Sequence, residues 1–156
     1  MIGVKRSKKR NRGLWIFLLV LYGISMLWLL LGQRIRPGEM PQFSRSTADR
    51  INLQPIATVK LYLNLIKNSK DPYLLMHSWV NLVGNVVMFI PLGYLLPKTF
   101  APLRKFIKLF LCVMLSIIAV ELLQLFTGLG SCDIDDLILN MAGAVIGYLI
   151  WYCKTK

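Results

Sequence analysis

Four long apolar runs constrain this chain more than any other feature of its sequence. They cover residues 14–32, 79–96, 107–127 and 137–153, and each holds 17 to 21 residues. About 20 residues of helix, at about 1.5 Å per residue, cross a hydrocarbon core of about 30 Å. Strands do not fit, because the runs are continuous rather than alternating and a membrane barrel needs about eight or more of them. The sequence therefore predicts an all-α integral membrane bundle of four transmembrane helices.

The composition excludes several other classes of protein. Apolar residues make up 56% of the 156 residues, charged residues make up 17%, and the mean hydropathy is +0.57. A soluble domain is about 45–50% apolar and about 25% charged, so a soluble enzyme of this length does not fit. Disorder does not fit either, because it requires low hydrophobicity. We expect one domain whose surroundings are membrane lipids.

The basic residues lie mostly at the ends of the apolar runs, where they indicate orientation in the membrane rather than binding to nucleic acid. Residues 1–13, 98–108 and 154–156 together carry 12 Lys and Arg and no acid. Segments 33–78 and 128–136 carry seven Lys and Arg and six acids. The positive-inside rule then predicts a plasma-membrane protein with both termini in the cytoplasm.

The first apolar run is 19 residues long, and no small-x-small cleavage site follows it. We therefore expect an uncleaved membrane anchor rather than a signal peptide. The predicted organisation is a basic cytoplasmic N-terminus over 1–13, a single transmembrane domain over 14–153 and a cytoplasmic tail over 154–156.

One long extracytoplasmic segment, residues 33–78, separates the first two runs. Within it, residues 55–67 combine apolar positions with Lys60, Asn64 and Lys67 at helical spacing. This pattern predicts a short amphipathic interfacial helix. Three arrangements remain open for it: a helix on the outer membrane surface, a re-entrant lid over the bundle, or a packed connector.

Polar side chains enter three of the four runs at a common depth. With both termini inside, the second run descends from the outer face, the third ascends and the fourth descends again, so these residues lie within about 10 Å of the outer surface. They are Asn81 and Asn85, then Glu121 and Gln124, then Asp136 and Asn140, with Asp133 and Asp135 just before the fourth run. Carboxylates in lipid are costly unless paired, hydrated or protonated. We therefore predict that this set faces the bundle interior and forms a binding site.

Some members of this set also have structural explanations. Asp133 and Asp135 suit capping of the fourth helix, and the asparagines suit hydrogen bonds between helices. Glu121 is harder to explain in this way, since intramembrane carboxylates are functional candidates by default. Glu121 and Asp136 are the candidate catalytic acid and base.

The fourth run also carries Gly143 and Gly147 on the same helical stripe as Asp136 and Asn140, a spacing that favours close helix packing. In the second run, Pro91 predicts a kink below the asparagines.

Two further features bear on ligands. Arg34 and Arg36, at the outer end of the first run, suit the binding of a phosphate. The three cysteines lie at different depths, which argues against a disulfide, and a single histidine, His77, gives a zinc site no support. We predict no metal site and no cofactor.

Three motifs resemble those of the VanZ-like membrane proteins. They are NLVGNVVMFIPLGYLLP over 81–97, ELLQ over 121–124 and DIDDLILNMAGAVIGY over 133–148, and the segment RINLQPIATVKLYL over 50–63 is similar as well. The resemblance covers residues 34–150, and its recurrent polar positions fall on Asn81, Asn85, Glu121, Gln124, Asp133, Asp136 and Asn140. It implies a helical membrane protein with a role in the cell envelope of a Gram-positive bacterium. The founding member of that family is associated with resistance to the glycopeptide teicoplanin.

These observations leave three functions open. The first is binding or shielding of an outer-leaflet lipid-linked envelope precursor or a lipoglycopeptide, with an effect on teicoplanin susceptibility. The second is an enzyme acting on a lipid-linked phosphate or cell-wall precursor, in which carboxylates act as acid and base or hold Mg²⁺. The third, a proton-coupled carrier, fits four short spans without an internal repeat less well.

Overall fold

The computed structural model describes residues 3–31, 50–128 and 130–156. The helices of this part are α1 (Gly3–Leu31), α2 (Ala57–Asn68), α3 (Pro72–Thr99), α4 (Phe106–Phe126) and α5 (Ile134–Thr155), and the strands are β1 (Ile51–Asn52) and β2 (Cys132–Asp133). A short 3₁₀ helix, Ala101–Arg104, joins α3 to α4. Helices α1, α3, α4 and α5 are long and apolar enough to cross a membrane. The predicted all-α fold with four spanning helices and one shorter helix is confirmed.

Helix α3 begins seven residues before the predicted start of the second span at Trp79. Pro72 occupies its first turn, where a missing N–H costs nothing, and the Asp71 carboxylate accepts a hydrogen bond of 2.9 Å from the backbone N–H of Tyr73. The polar cap therefore lies outside the apolar run that defined the span. At the other end, α3 remains helical through Pro91 and Pro97 as far as Thr99.

Helices α3 and α5 run in the same direction and pack backbone against backbone. A Cβ atom added to Gly143 would lie 2.0 Å from the carbonyl oxygen of Val86, and one added to Gly147 would lie 2.0 Å from that of Ile90. On the other helix, a Cβ on Gly93 would lie 1.9 Å from the carbonyl oxygen of Ala144. Small residues thus permit the close approach that the sequence spacing predicts.

Helix α1 packs mainly on α3 and leaves most of its apolar surface outward. The Tyr22 hydroxyl donates a hydrogen bond to the carbonyl oxygen of Met88, and Met26 is buried. At one end of this contact, Lys98 Nζ lies 3.9 Å from the ring centroid of Trp15. Phe17, by contrast, is 63% exposed, as expected of a side chain that faces acyl tails.

Helix α2 lies against α3 and does not enter the bundle, since none of its side chains is buried. The Tyr62 ring contacts the His77 ring of α3 at a centroid distance of 5.9 Å. The segment before α2 is held by parallel pairing of β1 with β2, in which Ile51 faces Cys132 and Asn52 faces Asp133. These contacts hold α2 against α3, and its arrangement as a surface helix, a re-entrant lid or a packed connector stays a prediction.

Candidate functional site

The most direct link between polar residues of different spans joins α3 to α5. Asn85 Nδ2 donates a hydrogen bond of 2.6 Å to Asp136 Oδ1. Asp136 lies in the first turn of α5, where the partial positive charge of the helix N-terminus favours a carboxylate. The equal depth predicted for these two residues corresponds to a direct contact.

Glu121 brings the third helix, α4, to the same end of the bundle. Its side chain is only 8% exposed, and its Oε2 atom accepts a hydrogen bond of 3.3 Å from the backbone N–H of Asp133. Gln124, one turn further along α4, is 2% exposed. The carboxylate of Glu121 therefore points into protein rather than toward acyl tails, as the prediction requires.

Asp133 caps α5 and also anchors the segment that leads to α2. Its carboxylate accepts hydrogen bonds from the backbone N–H of Asp135 at 2.9 Å, from Thr58 Oγ1 at 2.6 Å and from Asn52 Nδ2 at 3.4 Å. Asp133 therefore has the capping role that the sequence suggested. Its carboxylate also accepts from two further donors, one before α2 and one within it.

Asp135, in the first turn of α5, holds the start of α2, a helix that lies much earlier in the chain. It is 1% exposed, and its two carboxylate oxygens accept hydrogen bonds from the backbone N–H groups of Ile56 at 2.5 Å and Val59 at 3.0 Å. These are orphan donors at a helix N-terminus, and Ile56 provides no side-chain cap of its own. Asp135 therefore works as a cap supplied by another helix, and a role in ligand binding remains a prediction.

Asn140 lies one helical turn beyond Asp136 on α5 and is 4% exposed. Its Oδ1 atom is buried and accepts no hydrogen bond from the part of the chain that the structure describes. An unsatisfied buried acceptor is unusual in a protein interior and marks a place where a bound group would be stabilised.

Asn81 is placed differently from the other predicted residues. Its amide donates a hydrogen bond of 2.8 Å to the His77 carbonyl oxygen, within α3. The His77 ring in turn packs between Tyr62 and Tyr73, with centroid distances of 5.9 and 6.2 Å. Asn81 thus bonds within its own helix, one turn from the contact between His77 and α2, rather than to the carboxylates.

Arg50 is a buried charge that the sequence reasoning missed. It is 7% exposed, and its Nε and Nη1 atoms have no hydrogen-bond partner among the described residues. The arginines chosen from sequence for an anionic ligand, Arg34 and Arg36, lie outside the described residues. Its position is the sequence signal that could have indicated it, because Arg50 is the first residue of the segment 50–63 that resembles the family pattern.

The negative charges of Glu121 and Asp133 act on the thiol of Cys132, which lies outside the spanning helices. Burial raises the pKa of the Cys132 thiol, and the negative charges of Glu121 and Asp133 raise this pKa further.

Among residues 3–31, 50–128 and 130–156, no group of three or more His, Cys, Asp or Glu side chains is arranged to hold a metal ion. The carboxylates and amides described above can form hydrogen bonds and charge pairs, and the carboxylates can also transfer protons.

Comparison with known proteins bears on this assembly as a whole. The chain is 28% identical over 85 residues to Protein VanZ of Enterococcus faecium, an alignment that covers 54% of this chain and 52% of that protein. The chain thus matches about half the length of this curated relative. No solved structure matches. The model of the VanZ/LLP1 family matches residues 17–155, which include α3, α4, α5 and all the polar residues described above, and the chain therefore belongs to the VanZ/LLP1 family.

Proposed function

We propose that this VanZ-like membrane protein binds the headgroup of an outer-leaflet envelope lipid, or a lipoglycopeptide, in an acid–amide site. This site is formed by Asn85, Glu121, Asp136 and Asn140 together with Gln124, and through it the protein affects susceptibility to teicoplanin. The site offers carboxylate and amide groups, which suit a ligand that carries hydroxyl or ammonium donors.

The observation that carries the proposal is the convergence of three spanning helices on one polar end. Asn85 of α3 bonds Asp136 of α5, and the buried Glu121 of α4 accepts a bond from Asp133 at the start of α5. A buried carboxylate inside an apolar bundle is costly, and its retention is expected where it serves a ligand. The VanZ name of the relative supports a role connected with glycopeptides.

The orientation of the site is part of the same proposal. The basic residues of 1–13, 98–108 and 154–156 support an orientation with both termini in the cytoplasm by the positive-inside rule, in which the acid–amide site opens on the extracytoplasmic side. This is the side on which a glycopeptide meets a Gram-positive cell envelope. The partners that we propose are accordingly membrane lipids and an envelope precursor or lipoglycopeptide.

The proposal is tested by teicoplanin susceptibility in a strain that lacks the gene and is complemented with variants. The deletion is expected to change the inhibitory concentration, and Glu121→Gln is expected to behave like the deletion although the protein is still inserted. Ser116→Ala is the matched control, because Ser116 is exposed on the same helix and its hydroxyl donates to the carbonyl oxygen of Cys112, one turn earlier. Unchanged susceptibility in the deletion strain contradicts the proposal.

Binding and chemical modification of the lipid are separated by a second experiment. Purified protein is incubated with labelled undecaprenyl-type lipids, and the products are resolved by mass. Simple binding predicts unchanged lipid. Turnover that is lost in Asp136→Asn supports the enzymatic alternative, with Glu121 and Asp136 as its acid and base.

A further inference from the structure

The buried guanidinium of Arg50 is the least satisfied charged group in the described part of the chain. Its side chain is 7% exposed, and both Nε and Nη1 are inaccessible and lack a hydrogen-bond partner there. These two atoms carry more than half of the N–H donors of a guanidinium, which stays protonated in proteins. A buried charge of this kind is strongly unfavourable unless another group complements it.

Two acidic residues around the start of α5 accept hydrogen bonds from donors other than Arg50. Asp133 accepts from Thr58 and Asp135, and Asp135 accepts from the backbone of Ile56 and Val59. These bonds fix the ends of α5 and α2, so the two carboxylates are structurally committed. Nε and Nη1 of Arg50 have no acceptor among the described residues, and a bound group is the complement that we consider for them.

The position of Arg50 links it to the acid–amide site. It directly precedes β1, whose parallel pairing with β2 sets Ile51 beside Cys132, two residues before α5 begins. Asn140, the other described residue with an unsatisfied buried side-chain atom, lies six residues after Ile134, the first residue of α5, a rise of about 9 Å. One end of the bundle thus presents unsatisfied donors on Arg50 and an unsatisfied acceptor on Asn140.

We propose that Arg50 binds the phosphate of a lipid-type headgroup, and that a hydroxyl or ammonium group of the same headgroup donates to Asn140. A guanidinium complements a phosphate in charge and in hydrogen-bond geometry. The neighbouring carboxylates disfavour a bare anion, and a headgroup with its own donors offsets that repulsion. This inference rests on the proposed function and adds to it the anion class and the residue that recognises it.

The test is a titration of the full chain, purified in a nonionic detergent, with three probes. They are short-chain phosphatidylglycerol, which carries phosphate and hydroxyls; a short-chain diacylglycerol glucoside, which carries hydroxyls only; and inorganic phosphate. We expect the wild type to bind phosphatidylglycerol in preference to the glucoside. Arg50→Gln is expected to bind it at least about tenfold more weakly, since a charge-assisted hydrogen bond is lost, with Arg50→Lys in between.

Lys70→Gln is the matched control, because it removes one positive charge from an exposed position on the same predicted side of the membrane. Its affinity for phosphatidylglycerol is expected to equal that of the wild type. Equal binding by wild type and Arg50→Gln overturns the proposal, and so does equal binding of phosphatidylglycerol and the glucoside by the wild type. The second comparison needs no variant and holds even if Arg50→Gln does not fold.

The probes also separate the possible sources of the phosphate. Competition by inorganic phosphate supports an anion site that accepts free phosphate as well, whereas binding of the lipid alone supports a headgroup site. If Arg50→Gln abolishes phosphatidylglycerol binding while Glu121→Gln leaves teicoplanin susceptibility unchanged, the anion site stands and the proposed function fails. If Glu121→Gln changes susceptibility but the phosphate makes no difference to binding, only the anion site fails.

Discussion

Asn85 on α3 and Asp136 on α5 form a hydrogen bond of 2.6 Å between two transmembrane helices that run in the same direction. The bond lies at one end of a close helix contact whose other end is formed by Gly147 against the backbone of Ile90. A side-chain hydrogen bond and close backbone packing therefore hold the same two helices together. The acid–amide site depends on both, because α3 and α5 supply most of its residues.

Asn85→Ala removes the amide that Asp136 accepts from, and it is expected to lower the free energy of unfolding by about 1–3 kcal/mol. Denaturation of the purified protein in detergent, followed by circular dichroism, measures the change. Asn81→Ala is the control, because the Asn81 amide bonds the backbone of its own helix, and a smaller loss is expected. Equal losses for the two variants would show that the contact with Asp136 adds nothing.

Gly147→Ala is expected to force α3 and α5 apart, because the new Cβ would lie 2.0 Å from the Ile90 carbonyl oxygen. The cost is about 3 kcal/mol of unfolding free energy, at the upper end of overpacking effects. Gly84→Ala is the matched control on α3, where the nearest neighbouring atom would lie at 3.9 Å. That variant is expected to be neutral or slightly stabilising, since alanine favours a helix more than glycine does.

Asp135→Ala is expected to release the start of α2, because the backbone N–H groups of Ile56 and Val59 lose their acceptor. Hydrogen exchange measured by mass spectrometry should rise across 56–62 while α5 stays protected. Asp71→Ala is the control, since Asp71 caps α3 from an exposed position and its loss affects only the first turn of that helix. Unchanged exchange over 56–62 in Asp135→Ala would contradict the capping role.

Topology is tested by the accessibility of two cysteines at opposite ends of the bundle. A membrane-impermeant thiol reagent applied to intact cells is expected to label Cys132 and to spare Cys153. Everted vesicles are expected to show the reverse, since Cys153 is exposed near the end of α5. Labelling of Cys153 on intact cells would reverse the proposed orientation, and with it the side on which the acid–amide site opens.

The pH dependence of Cys132 labelling tests the field of the acid–amide site. A raised thiol pKa lowers the thiolate fraction at any given pH, so labelling should accelerate only at a higher pH than for an ordinary cysteine. Glu121→Gln removes one of the charges that raise this pKa, and its labelling profile is expected to shift toward lower pH. Ser116→Ala should leave the profile in place. A profile that Glu121→Gln does not move would show that no charge on Glu121 reaches the thiol.

The sequence predicted those parts of the structure that follow from helical periodicity and alternating helix direction. Asn85, Glu121 and Asp136 could be assigned a common end because each lies a fixed number of turns from the end of its run. Gly143 and Gly147 were recognisable for a similar reason, since small residues four apart on one face permit close packing.

The remaining features depend on contacts between segments far apart in the chain. Asp135 reads as a local cap, yet it accepts bonds from Ile56 and Val59, 79 and 76 residues away. The strands that guide this contact have two residues each, too short for any periodic signal. Arg50 lies in a polar segment of the sequence, where arginines are usually exposed, and only the tertiary structure shows it to be buried.

The most direct test of the acid–amide site is the lipid that the protein retains from its own membrane. Native mass spectrometry of the full chain, released gently from nonionic detergent, compares the wild type with Glu121→Gln and with the control Ser116→Ala. We expect a defined envelope lipid bound to the wild type and to Ser116→Ala, and lost or strongly reduced in Glu121→Gln. Retention of the same lipid in the same amount by all three proteins would contradict it.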